Sequence, residues 1–295
     1  MNRTRIWVII PTLGRPEVVA RLLVHLAEQA RAPDHVLIST PNAAHLPEIG
    51  TYPYEVSCVT GGLGLAVQRN RGLELAIPQS DIITFFDDDF LPASNYLANV
   101  ERCFLDQPGI AAVMGHVLVD GARGPGLSLE EGVAILRAAQ SRAWEEDHFA
   151  DQPGAYGCNM SIRTASIGTI RFDERLVLYG WQEDIDFTGQ LRRQGRIVKM
   201  TPLYGVHLGI KSGKVSGLKF GYSQLINPVY LMRKGTIPPR FAINLMARNV
   251  VANLIRSCWS EPYIDRAGRL KGNAIAAYHL VRGRVEPEYV LKLPS

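Results

Sequence analysis

Ile6-Trp7-Val8-Ile9-Ile10-Pro11-Thr12-Leu13-Gly14-Arg15-Pro16-Glu17 reads as a strand, a turn and the first turn of a helix. Ile6–Ile10 is unbroken and apolar, as parallel strands covered on both faces are. Pro16 and Glu17 suit the start of a helix, and Val18, Leu22 and Leu26 follow on one stripe with Val19 and Leu23 beside it. Outward from there, His35–Thr40 and Glu55–Thr60 are predicted strands, Leu65–Ile77 a helix and Asp81–Phe86 a fourth strand. This alternation predicts an α/β fold, with a mostly parallel sheet flanked by helices. Further on, Ile110–Asp120, Asn159–Arg163 and Ile197–Leu203 are predicted strands, and Val133–Trp144 and Asp184–Gln194 predicted helices. The glycine-rich, basic stretch from Gly205 to Gly221 is expected to be a mobile loop, and the C-terminal third helical with basic faces.

The chain has 295 residues, 46% hydrophobic and 20% charged, enough to bury a core in one or two domains. Its net charge of +4 comes without long runs of like charge. That fits an anionic small ligand or a membrane surface better than a nucleic acid, which is not expected as a partner. Cys58, Cys103, Cys158 and Cys258 lie far apart, which excludes a CxxC metal site and fits a reducing, cytoplasmic setting. The apolar part of the N-terminus is too short for a signal peptide, and no stretch is long and apolar enough for a transmembrane helix. Phe241 to Ile255 is interrupted by Asn244, Arg248, Asn249 and Asn253. It reads as an amphipathic packed helix, with a helix lying on a membrane surface as the alternative.

Asp87-Asp88-Asp89 closes the apolar fourth strand. Three adjacent carboxylates repel one another, and a divalent cation with phosphate oxygens supplies the missing charge. The carboxyl end of a parallel strand is also where open sheets bind ligands. The alternative is a solvated turn with an aspartate as helix cap. Glu183, Asp184 and Asp186 start a predicted helix, where they serve either as a general base or as plain compensation of the helix dipole. His207 is either a hydrogen-bonded structural residue or a further metal ligand, and Lys211 and Lys214 are either phosphate contacts or solvated lysines. Gly62-Leu-Gly64 reads as a turn and not as a dinucleotide fingerprint.

Taken together, these segments resemble family 2 inverting glycosyltransferases of the GT-A (Rossmann-like) fold, in particular bacterial members acting on surface polysaccharides. Val8 to Arg15 is similar to that family's opening strand and Pro-Thr-x-x-Arg. Gly64 to Gly72 is similar to its Gly…Ala-x-x-Arg-Asn-x-Gly segment. Asp87–Asp89 resembles the DXD element, Gly157-Cys-Asn159 the Gly-x-Asn strand, and Phe172 to Gly195 the Glu-Asp helix on the acceptor side.

The resemblance implies a catalytic domain over 1–210, with a helical extension over 211–295 packed on it. It implies that Pro11, Thr12 and Arg15 line the nucleotide pocket, with Arg69 near the nucleotide. Asp87 and Asp88 are expected at ribose or phosphate, and Asp89, with His207, at Mn2+ or Mg2+. Asp184 is the expected base, with Glu183 beside it. The usual base-reading Asp after the second strand is missing, and Ser39 or Asn42 stands in its place. The implied donor is a nucleoside-diphosphate sugar, UDP first, then GDP or dTDP. The implied acceptor is a glycan or lipid-linked glycan, at the inner face of a membrane. The competing readings are a nucleotidyltransferase and an inert nucleotide-sugar binding module.

Overall fold

The computed structural model describes residues 3–140, 147–211, 216–258 and 261–294. Strand β1 (Ile6–Pro11) is followed by α1 (Pro16–Ala27), β2 (His35–Thr40), β3 (Glu55–Thr60), α2 (Leu65–Ala76) and β4 (Ile82–Phe86). Then come β5 (Phe90–Pro92), α3 (Tyr96–Asp106), β6 (Ile110–Asp120), α4 (Leu129–Gln140), β7 (Phe149–Asp151) and β8 (Asn159–Arg163). Helix α5 (Glu183–Leu191), β9 (Arg196–His207) and helices α6 (Gly217–Lys234), α7 (Pro239–Arg256) and α8 (Arg266–Val281) complete the chain.

All nine strands join one sheet in the order β3-β2-β1-β4-β8-β6-β9-β5, with β7 paired to β9. β1, β2, β3, β4, β6 and β9 run one way, and β5, β7 and β8 the other. Successive strand residues point to opposite faces, so both faces are apolar. Val8 and Ile10 pack with Val36, Ile38, Phe86 and residues of α1 and α3. Ile9 packs on the other face with Leu37, Phe85 and residues of α2 and α5.

Helices α6, α7 and α8 form a trio joined to this layer through α5. Lys234 of α6 bridges Asp173 and fully buried Asp186, at 2.7 Å from each. Asn227 donates to the carbonyl of Trp181 at 2.9 Å. Inside the trio, Asn253 donates to Gln224 at 2.7 Å and to Asn273 at 2.9 Å, and Asn273 donates to the Gly221 carbonyl at 2.7 Å.

The structure corrects three expectations. Helix α4 starts at Leu129, ahead of Val133, because Ser128 and Glu131 form a reciprocal cap; the expected end at Trp144 lies outside the described residues. The strand expected at Ile197–Leu203 continues to His207. The stretch from Gly205 to Gly221 is largely not a loop: it ends β9 and begins α6, while 212–215 lie outside the described residues. Its glycines serve close packing. A Cβ at Gly205 would collide with Phe90 and the Leu91 carbonyl, and one at Gly221 with the backbone of Arg269.

Candidate active site

The carboxyl ends of β1, β4, β6 and β9 bring together residues far apart in the chain. Pro11 pairs in register with Ser39, and the Thr12 N–H donates to the Ser39 carbonyl at 2.9 Å. Asp88, 1% exposed, accepts from the Thr12 hydroxyl at 2.6 Å and from two nitrogens of Arg15. Both its oxygens are therefore engaged inside the protein. Burial pushes the Asp88 carboxyl up to about 7, against the pull of Arg15. Asp88, expected at ribose or phosphate, holds Thr12 and Arg15 here.

Asp87 and Asp89 face His207. The Nε2 of His207 lies 3.2 Å from Asp89 and 3.9 Å from Asp87, while its Nδ1 lies 3.0 Å from Asp120. Asp89 also accepts from the Ile210 N–H at 2.8 Å and from Arg15 at 3.3 Å. Burial works against its charge, but His207 and Arg15 outweigh it and hold the carboxyl below its usual value. Asp87, Asp89 and His207 each offer one atom within 4.8 Å of the others. Two hard oxygens and an imidazole suit Mn2+ or Mg2+, and Asp120, 3.0 Å from the second ring nitrogen, would orient the ring for such binding. The donor set therefore fits the implied cation.

Arg69 of α2 is 1% exposed. It pairs with Glu183, with Asp87 at 3.0 Å and with the Gly157 carbonyl at 2.9 Å, and lies 5.6 and 5.5 Å from the ring centroids of Phe85 and Phe172. It joins the Asp87, Asp89 and His207 cluster to α5. Asp184 accepts from the N–H of Gly157 at 2.7 Å and of Ile185 at 2.8 Å. Burial raises the Asp184 carboxyl, while Arg69 and both N–H groups pull it back. A carboxylate with a raised pKa is a better base. Ser39, expected near the base, is fully buried and gives its hydroxyl proton to the Gln68 carbonyl.

Three residues here escaped sequence reasoning. Asp120 ends β6, and a strand-terminal carboxylate is the signal that marks it. Gln68 laces β1 to β2 by donating to the carbonyls of Thr12 at 2.7 Å and Ser39 at 3.3 Å. Gln182 caps α5 with φ of 75°, in the left-handed region, and both its amide atoms are buried without partners among the described residues. Lys211 donates to the Ala122 carbonyl at 2.9 Å, and Lys214 lies outside the described residues.

No protein-family model matches this sequence, and no curated protein does. Solved structures do match. The mannosyltransferase PcManGT from Pyrobaculum calidifontis, in complex with GDP-Man and Mn2+, gives a TM-score of 0.55 at 19% identity, over 99% of this chain and 79% of that one. The fold is GT-A. GalNAc-T7 with UDP, GalNAc and Mn2+ gives 0.54 at 12% identity, over 99% of this chain and 56% of that one. S. aureus TarS gives 0.50 at 18% identity, over 76% of this chain and 39% of that one. The chain thus spans well under two thirds of the length of TarS and of GalNAc-T7. The sheet's carboxyl ends and the start of α5 meet here through Arg69, which pairs with Asp87 and with Glu183. Among the described residues, no helix is long and apolar enough to cross a membrane.

Proposed function

We propose that this chain is an inverting glycosyltransferase. Its donor is a nucleoside-diphosphate sugar, UDP before GDP or dTDP, and its acceptor a hydroxyl of a glycan or lipid-linked glycan in surface-polysaccharide or glycolipid assembly. The observation that supports this reading is the cluster of Asp87, Asp89 and His207, tied through Arg69 to Glu183 beside Asp184 at the start of α5.

Asp87, Asp89 and His207 would hold Mn2+ or Mg2+. Bound there, the cation neutralises charge developing on the departing diphosphate. Arg15, clamped by Asp88, adds a fixed positive charge nearby. Asp184 takes the proton of the acceptor hydroxyl as its oxygen bonds to the anomeric carbon. The bond from that carbon to the phosphate oxygen breaks, and the nucleoside diphosphate leaves with the electron pair. Attack from the face opposite the leaving group inverts the centre. Residues 1–210 carry both the donor site and Asp184, and the helical extension over 211–295 packs on them.

The membrane surface enters through α7. Ile243, Val251, Leu254 and Ile255 are each more than half exposed, with Arg240 and Arg248 among the exposed residues and no Asp or Glu in the helix. A basic, apolar helix face fits an anionic lipid surface on the cytoplasmic side.

The test is calorimetric titration with UDP-, GDP- and dTDP-sugars, with Mn2+ and with chelator. One nucleotide is expected to bind, at least about tenfold more weakly without metal or in Asp89→Ala. No binding by any of them, or equal affinity in Asp89→Ala, overturns the reading.

A further inference from the structure

Arg269 lies on α8 where that helix crosses α6 closely at Gly221. Its guanidinium sits over the Phe220 ring, 4.3 Å from the centroid. Among the described residues it has no hydrogen bond or ion pair, and its Nε is fully buried. Burial first, and then Arg266, lower its pKa to about 10. Asp265 and Glu261 pull the other way but are engaged elsewhere: Asp265 accepts from the Gly268 N–H at 2.7 Å, and Glu261 pairs with Arg266 at 3.0 Å.

The Phe220 ring leads toward the start of α5. It meets Trp181 at 5.7 Å and Tyr179 at 6.4 Å between centroids. Both residues belong to the turn that enters α5. Tyr179, Trp181 and Phe220 thus form a run of rings from the turn that enters α5, the helix that carries Asp184, to a guanidinium that no side chain among the described residues pairs with. A partly desolvated arginine without a partner is costly in a finished fold. The cost is recovered when a ligand brings the anion, and the planar guanidinium suits phosphate and carboxylate alike.

We propose that Arg269, backed by Phe220, binds an oxyanion carried by the acceptor, phosphate or carboxylate, with Tyr179 and Trp181 lining the path from it to Asp184. This rests on the transferase reading above and adds the acceptor's chemical class: a phosphorylated or acidic glycan, lipid-linked or free.

The test is calorimetry on the full chain holding Mn2+ and saturating UDP, so that the donor position is filled. The probes are octyl phosphate, octyl glucuronide and octyl glucoside. An anionic probe is expected to bind about tenfold to a hundredfold tighter than the neutral glucoside, and Arg269→Gln to erase that preference. The tighter of the two anions names the group. Equal binding of all three by the native chain overturns the proposal without recourse to any variant, as does a folded Arg269→Gln that keeps the full preference. A chain that prefers an anionic probe but does not bind UDP with Mn2+ sinks the donor reading alone. A chain that binds UDP with Mn2+ and treats the probes alike sinks the Arg269 site alone.

Discussion

At the carboxyl ends of β1 and β4, Arg15, Arg69 and His207 each already hold a carboxylate. In the helical trio, Arg269 holds none among the described residues, and α7 turns apolar side chains outward. The first region is rigid before any ligand arrives: its charges are paired, its backbone is laced by Gln68, and its strands are covered on both faces. The second leaves charge and apolar surface unspent. The contrast teaches where variation is tolerated. On the proposed function, a site that stabilises the same diphosphate each time gains from preorganised dipoles and ion pairs, and a surface that meets one particular acceptor keeps its groups free for it.

The largest expected effect tests the rigid side. Asp184→Asn keeps the shape but cannot accept a proton. Transfer should fall by about 10²–10⁴-fold while nucleotide and metal still bind; product formation and calorimetry on the same sample check both halves. Turnover near that of the native chain would leave the cleft without its base.

An intermediate effect probes the seam between the regions. Lys234→Met leaves Asp186 buried and uncompensated. Removing one partner of a fully buried pair costs about 3–5 kcal/mol. Lys234 keeps 27% of its side chain in solvent, so about 2–3 kcal/mol is expected here. Thermal unfolding reads it, and a loss below about 1 kcal/mol would show that α6 is anchored by other contacts.

The smallest effect lies at the surface. Arg175 and Glu288 tie the segment before α5 to the C-terminus, but both are more than a third exposed. Glu288→Gln should cost less than about 1 kcal/mol. The hydrogen bond from Arg175 holds the Glu288 carboxyl below its usual value. The pair therefore adds stability above the unfolded carboxylate pKa and loses it as pH falls through the folded one. The gap between native chain and variant should close on acidification, and a gap that widens would contradict the pairing.

The parallel half of the sheet was legible because its strands carry their own signature. Ile6–Ile10 and Ile82–Phe86 are apolar on both faces, and a helical stripe follows the first. The aspartate triplet was legible as a cluster but not residue by residue. Asp88 and its neighbours are identical in composition, and only the fold turns Asp88 inward to Thr12 and Arg15 while Asp87 and Asp89 face His207. The stretch from Gly205 to Gly221 was misread because glycine serves both mobile loops and close contacts, and sequence alone does not name the approaching neighbour. Asp120 and Arg269 matter through partners 87 and 49 positions away in the chain, beyond the reach of local spacing.

The amide ladder of Gln224, Asn253 and Asn273 has one more effect. Sliding α8 along α6 by one turn is a shift of about 5.4 Å. It would break the bonds of Asn273 to Asn253 and to the Gly221 carbonyl in a dry interior at about 1–3 kcal/mol apiece, whereas a purely greasy seam would tolerate it. The helices thus fit together like a key with three cuts, in a single seat or not at all, and whatever side chains they hold out arrive at a fixed address.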